Sequence, residues 1–266
     1  DQSFRVPRQV HKQAERIARR IQNRQEKVYL PRKEEGSLEH LPSVRVLPLE
    51  EGEWLILASC DYMLNGDGEG YNARKTLIDR GIPFSHNGFR YISFPMVQAI
   101  EAWQKLNEKR DPITVEELAS VYRFLTKNEV KRGFLSAPGK DEDNARKLTQ
   151  QQVVELFGLH EACLGKTWQE TFTRRINEER RAFIKKALEN KEDLNNEPRV
   201  ALSTIHKAKG GEADNVAVLL DLSPAQKLNA MLNADSLHRQ FYVAVTRARE
   251  NLFIINAQNE NLKYGL

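Results

Sequence analysis

V-A-L-S-T-I-H-K-A-K-G-G-E-A-D-N-V-A-V-L-L-D, residues 200–221, reads as a strand, a polar turn and a second strand. The runs 200–205 and 216–221 are short and rich in Val, Leu and Ile, apolar on both faces. That suits a parallel sheet covered by helices better than a sheet with one wet face. The chemistry lies between the runs. The end of the first strand delivers Thr204 and His206, short donors suited to a phosphate. Gly210-Gly211 predicts a turn where backbone N–H groups approach a ligand closely. Glu212 can accept from a ribose hydroxyl, as carboxylates do in dinucleotide folds.

Working outward, the pattern of 236–249 predicts a helix, with Leu237, Phe241, Ala244 and Ala248 on one apolar stripe. Arg239, Val243 and Arg247 would lie along its flank. A strand over 252–256 follows. Near the start, Val10, Ala14, Ile17 and Ile21 recur at helical spacing opposite Arg8, Lys12, Arg16 and Arg19, predicting a helix over 8–25 after Pro7. Apolar runs at 44–49 and 54–59 read as strands. A helix over 73–79 is closed by Gly81, and Ile82-Pro83-Phe84 follows. This rhythm stops between 95 and 197, where helical patterns dominate at 96–106, 115–125, 151–160 and 167–188. The expected organisation is an α/β domain split into 1–95 and 198–266, interrupted by an inserted helical subdomain over 96–197.

Composition narrows the class. Hydrophobic residues at 40% suffice for a core, and charged residues at 29% leave no stretch that could cross a membrane. Two cysteines, Cys60 and Cys163, stand far apart without metal-ligand spacing, so neither a disulfide framework nor a zinc site is expected. A cytoplasmic setting fits. Residues 1–33 hold ten Lys and Arg against three Asp and Glu, a net +7 in a chain of net +4. The basic front end favours a phosphate-rich partner, or else is simply a solvated helix face.

Three segments in chain order, Gln2-Ser3-Phe4-Arg5, 203–212 and R-Q-F-Y-V-A-V-T-R-A-R at 239–249, resemble motifs IV, V and VI of superfamily 1 helicases of the UvrD/Rep type. The resemblance covers 1–95 and 198–260 and extends to the helical insert only by position. It implies a second RecA-like domain, a parallel sheet flanked by helices. It further implies that Phe4 stacks on adenine, that Arg5 and the arginine finger Arg247 reach the γ-phosphate of ATP, and that Gly210 and Glu212 belong to the same nucleotide site. Thr204 and His206 would hold single-stranded DNA beside a duplex, with 3′ to 5′ movement. A guanidinium suits phosphate because it is permanently charged and donates two parallel hydrogen bonds.

The chain departs from the pattern in places. Leu237 stands where the family usually has an acidic residue, and Ala213 where an aromatic usually follows the motif V Glu. Leu57-Ala58-Ser59-Cys60-Asp61 replaces a DNA-contacting L-A-R-T-N, so no DNA role passes to Cys60 or Asp61. Nothing reads G-x-x-x-x-G-K-[ST], and no strand ends in the acidic pair that would hold Mg²⁺. A first RecA-like domain lying before Asp1 is therefore expected to supply the cradle and the Mg²⁺ ligands, and this piece alone is expected not to hydrolyse ATP. Two other readings stay open: a helicase-like DNA- or protein-binding module without ATPase activity, and the helicase part of a helicase-nuclease.

Overall fold

The computed structural model describes residues 6–25, 30–66, 73–138, 143–208 and 210–266. In chain order its elements are α1 (Arg8–Ala18), β1 (Ser37–Leu41), β2 (Trp54–Ala58), α2 (Tyr62–Asn65), α3 (Ala73–Arg80), β3 (Phe84–His86) and β4 (Phe89–Arg90), then α4 (Phe94–Trp103), β5 (Ile113–Thr114), α5 (Val115–Tyr122), β6 (Lys147–Leu148), α6 (Gln150–Phe157), α7 (Trp168–Thr171) and α8 (Glu178–Glu189). They end with β7 (Val200–Thr204), β8 (Ala213–Leu219), α9 (Pro224–Leu232), α10 (Asp235–Val245) and β9 (Ala248–Ile255). The chain divides into two compact units, 1–91 with 198–266, and 92–197. Among the described residues no helix is long and apolar enough to cross a membrane.

The first unit is built on a seven-stranded sheet of order β1-β9-β8-β2-β7-β3-β4, parallel throughout except for the β3–β4 hairpin. Side chains alternate across its pleat. Leu55, Leu57, Val216, Val218, Leu252 and Ile254 point into one core with Val10, Ala14 and Ile17 of α1 and Phe241, Ala244 and Val245 of α10. Their neighbours Trp54, Ile56, Ala217, Leu219, Phe253 and Ile255 are buried too, on the opposite face, where Trp54 and Phe253 meet at 5.1 Å. Burial of both faces is what the apolar runs of β2 and β8 require, and the result is a RecA-like α/β sheet flanked by helices.

Local chemistry corrects several expected boundaries. The helix expected over 8–25 stops at Ala18, and the next turns are captured elsewhere: the N–H groups of Gln22 and Asn23 donate to the Asp235 carboxylate at 2.8 and 2.9 Å. The run 44–49 is no strand but carries a 3-10 turn over Val44–Val46, opened by the Ser43 hydroxyl accepting from the Arg45 N–H at 3.0 Å. The edge strand β1 is instead the polar Ser37–Leu41, paired with β9 from Ser37↔Asn251 to Leu41↔Ile255. The helix expected over 236–249 ends at Val245. Thr246 bonds back through its hydroxyl to the Tyr242 and Val243 carbonyls at 3.0 and 3.1 Å, filling the helix end, and Ala248 is taken into the sheet opposite Ala213. Pairing with β8 thus overrides helical propensity. Two helices, the short α2 and α9, fall where the sequence shows no helical periodicity.

The second unit packs helices around Trp103, Trp168, Phe172 and Phe183, all essentially inaccessible. Trp103 meets Phe172 edge-on at 5.6 Å and donates its indole N–H to the Lys166 carbonyl at 2.9 Å. The antiparallel pair β5–β6 leads into two capping boxes, Thr114 with Glu117 and Thr149 with Gln152, which start α5 and α6. The run 167–188 is not one helix. It breaks after α7, and Asn177, whose side chain accepts from the Arg180 N–H at 3.0 Å, caps a new start for α8.

Candidate nucleotide and nucleic-acid edges

Because neighbouring strands run parallel, the sheet has two distinct edges. Thr204 ends β7 level with Ala58, while Ala213 begins β8 two residues before the Asn215↔Trp54 pair. Six strand positions separate the two levels, about 20 Å at roughly 3.3 Å per residue. Thr204 and Ala213 therefore stand at opposite ends of the sheet. Ile205 is buried and donates its N–H to the Ala58 carbonyl at 3.0 Å, and the N–H groups of Lys207 and Ala208 both return to the Thr204 carbonyl at 3.0 Å. Ala208 is buried in the core under α10, which leaves His206 and Lys207 exposed beside the strand end.

Shortly before Ala213, Gly210 adopts φ +97°, a backbone that L side chains rarely take, and a Cβ there would meet nothing within 4 Å. Its requirement for glycine is conformational. Gly211 departs from the expected role, because its N–H is already donated to the Ala208 carbonyl at 2.9 Å. The turn offers a ligand the flexible geometry of Gly210, not a pair of outward N–H groups. Glu212, half-buried, then enters β8.

Motif VI arrives at the same edge. The Ala213 N–H donates to the Arg247 carbonyl at 3.3 Å, and Ala213 pairs with Ala248. Glu212 and Arg247 thus occupy the entrances of adjacent parallel strands. Arg247 is not on the flank of a helix, as expected, but in the turn joining α10 to β9. Its Nε–H donates to the Val243 carbonyl at 3.1 Å, which anchors the base of the guanidinium against the end of α10. Phe4 and Arg5 lie outside the described residues. The described chain begins at Val6, buried in the α1–α10 core, and a Cβ on Gly36 would lie 2.6 Å both from the Pro7 ring and from the Glu250 carbonyl of β9. The start of α1 therefore also lies at this edge.

Several residues that shape the unit carry no motif or periodic signal in the sequence. Asp235, buried, receives Gln22 and Asn23 as described, and Arg239 completes the bracket through the Asn23 carbonyl at 2.6 Å and the Asp235 carboxylate at 3.5 Å. The two backbone N–H bonds hold its carboxyl below the ordinary value of 3.8. Asp235 supplies a carboxylate two residues before Leu237, which packs in the core. Tyr264 stacks on Phe241 at 4.0 Å and contacts His238 Nδ1 through its hydroxyl at 2.9 Å, and burial pushes the phenol up to about 12. A charged Arg249 joins Asp214 at 3.0 Å and also pairs with Glu53.

At the opposite edge the β3–β4 hairpin closes on Asn87 and Gly88, with φ 50° and 86°. Asn87 ties the hairpin to β7: its N–H donates to the Leu202 carbonyl at 2.8 Å and its Oδ1 accepts from the Thr204 N–H at 3.4 Å. Asp61 sits beneath, accepting from Asn87 Nδ2 at 2.6 Å and Asn65 Nδ2 at 2.7 Å, with His86 Nε2 at 2.9 Å. Burial works to raise its carboxyl, but the Asn87 bond and the His86 and Asn65 contacts outweigh it and hold the carboxyl below its ordinary value. Cys60 donates to Gln226 Oε1 at 3.4 Å, an anchor for the first turn of α9. Asn-Gly between Phe84 and Phe89 was the available signal for the hairpin.

Among the described residues no group of three or more His, Cys, Asp or Glu is arranged to hold a metal ion. No curated protein matches the chain. The family model described as the UvrD-like helicase C-terminal domain matches residues 89–259, well over half of the chain and inclusive of both the 203–212 and 239–249 segments. With a parallel α/β sheet whose strand ends gather those two segments, the chain belongs to the UvrD-like helicase C-terminal domain family of superfamily 1.

Proposed function

We propose that this chain is the C-terminal motor domain of an ATP-dependent, 3′ to 5′ DNA helicase or translocase, working against a first RecA-like domain that carries the phosphate cradle and the Mg²⁺ ligands. The observation that carries the reading is the bond from the Ala213 N–H to the Arg247 carbonyl, 3.3 Å, because it puts Glu212 and Arg247 side by side at one sheet edge. ATP supplies the reaction with a γ-phosphoryl group whose negative charge must be stabilised as it transfers. Arg247 is the cation for that task, since its guanidinium is permanently charged and its base is steadied by the Val243 carbonyl. Arg5 adds a second cation, Phe4 a stacking surface for adenine, Glu212 an acceptor for a ribose hydroxyl, and Gly210 the close backbone approach.

Thr204 and His206, at the other edge, hold the phosphates of single-stranded DNA. Closure of the cleft between the two RecA-like domains brings Arg247 to the γ-phosphate, and reopening lets the strand advance. In the intact protein Arg247→Ala is expected to lower ATPase kcat by at least about 10²-fold while DNA binding persists, given that such fingers contribute on the order of 10³ to 10⁵. Arg247→Lys should recover little, because an ammonium cannot donate two parallel bonds. Turnover unchanged in Arg247→Ala, with folding verified by circular dichroism, refutes the role.

A further inference from the structure

Phe89 is 80% exposed, the most exposed aromatic side chain among the described residues. A single surface hydrophobe is ordinary. This one differs in how firmly it is presented and in what stands beside it. The hairpin that carries it closes through Asn87 and Gly88, both at positive φ, the two-residue turn whose twist matches its strands. Asn and Gly are the residues that adopt this geometry cheaply. At the base of the hairpin the other aromatics are buried, Phe84 stacked on Tyr91 at 4.7 Å and 14°. The turn is therefore anchored below and rigid at its tip, with one ring left in water.

The tip is stitched to the sheet edge of the proposed nucleic-acid grip. Asn87 bonds Leu202 and Thr204 of β7, and His86, directly across the hairpin from Phe89, contacts Asp61. Residues opposite each other on an antiparallel pair share a face. On the adjoining turn His206 and Lys207 are exposed, a donor and a cation at the same strand end. A preorganised aromatic face beside phosphate-directed donors and a cation is the combination by which proteins hold single strands without reading sequence.

We propose that Phe89 is a base-stacking residue, its ring lying against one nucleobase of a single strand whose backbone is held by Thr204 and His206. The inference rests on the proposed DNA role of that edge and extends it from phosphates to a base. The surface selects single strands, since a paired base offers no open π-face to a ring outside the helix.

The test uses the intact protein and a fluorescein-labelled oligothymidylate, with binding read by anisotropy at several salt concentrations. Stacking worth about 1–3 kcal/mol per base corresponds to roughly 5- to 150-fold in affinity, so Phe89→Ala should weaken binding within that range while leaving the salt slope unchanged. Phe89→Trp should restore affinity. An oligonucleotide of the same length with abasic sites should bind wild type and Phe89→Ala alike, a difference that a merely structural role would not produce. His206→Ala is the control on the underlying reading and should weaken binding with a smaller salt slope. If it does so while Phe89→Ala binds as wild type, stacking is refuted and the edge assignment stands. If neither variant matters, the edge assignment itself falls, and the inference with it. Failure of Phe89→Trp to restore affinity, or an equal loss on the abasic strand, also overturns it.

Discussion

Replacing Gly210 by Ala isolates a backbone conformation from everything else in the motif. A Cβ at this position meets no atom within 4 Å, so no side-chain clash enters the cost. What remains is φ +97°, beyond the ordinary left-handed well, which for an alanine costs about 1–3 kcal/mol. Alanine also restricts the unfolded chain, offsetting about 0.4–1 kcal/mol. Taking the middle of each range, about 2 less about 0.7, the net expectation is a loss of about 1.3 kcal/mol, or roughly 3–5 °C in Tm for a chain of this size. Gly211→Ala provides the internal contrast: its Cβ would stand 3.5 Å from the Ala208 carbonyl, an ordinary contact, and no left-handed φ is involved, so stability should be unchanged or slightly raised. Gly210→Asn should fall between, because Asn tolerates positive φ better than Ala. Urea unfolding followed by far-UV circular dichroism reads all three as shifts in midpoint at constant slope. Equal losses for the two alanine variants, or Gly210→Ala as stable as wild type, would refute the assignment of the constraint to Gly210.

The Asp235 carboxylate has a folded pKa below its unfolded value of 3.8, so its contribution to stability is present above that value and lost as pH falls through the folded pKa. Asp235→Asn should be less stable than wild type at neutral pH, with the gap narrowing below 3.8; a gap constant from neutral to acid pH in paired thermal melts would show that the charge is irrelevant. Phe241→Ala removes a fully buried ring stacked on Tyr264 and should cost about 3–5 kcal/mol, visible as a lowered urea midpoint. A loss below about 1 kcal/mol would mean that the stack is not part of the cooperative core.

What the sequence makes readable follows from where its signals come from. V-A-V-L in β8 and W-L-I-L-A in β2 are buried on both faces, and that alone requires a covered parallel sheet. The edge strand S-L-E-H-L has no such signature, since one side of it faces solvent and its pairing with β9 is a long-range fact. The end of α10 is hidden for a related reason: Thr246, Arg247 and Ala248 are compatible with helix, and only β8, some thirty residues away in sequence, decides that the helix stops and Ala248 enters a strand. In the site, the neighbourhood of Glu212 and Arg247 follows from two motifs and one sheet. The Asp235 bracket could not be read, because its partners are backbone N–H groups of Gln22 and Asn23 that carry no side-chain pattern. Phe89 gives no signal of its own, because an exposed ring contributes nothing to hydrophobic periodicity.

The two edges place a constraint on how such a domain could do work. Strands β7 and β8 are both hydrogen-bonded to β2, so the roughly 20 Å between the levels of Thr204 and Ala213 is set by sheet geometry and cannot stretch without breaking ladder bonds. The peptide joining them is tethered as well: Ile205 to Ala58, Lys207 and Ala208 to Thr204, Gly211 to Ala208. A strand held at Thr204 and a nucleotide approached by Arg247 are then, under the proposed function, gripped by one rigid body. Movement of the strand has to come from displacement of this unit as a whole against its partner domain, with Arg247 and Glu212 registering closure.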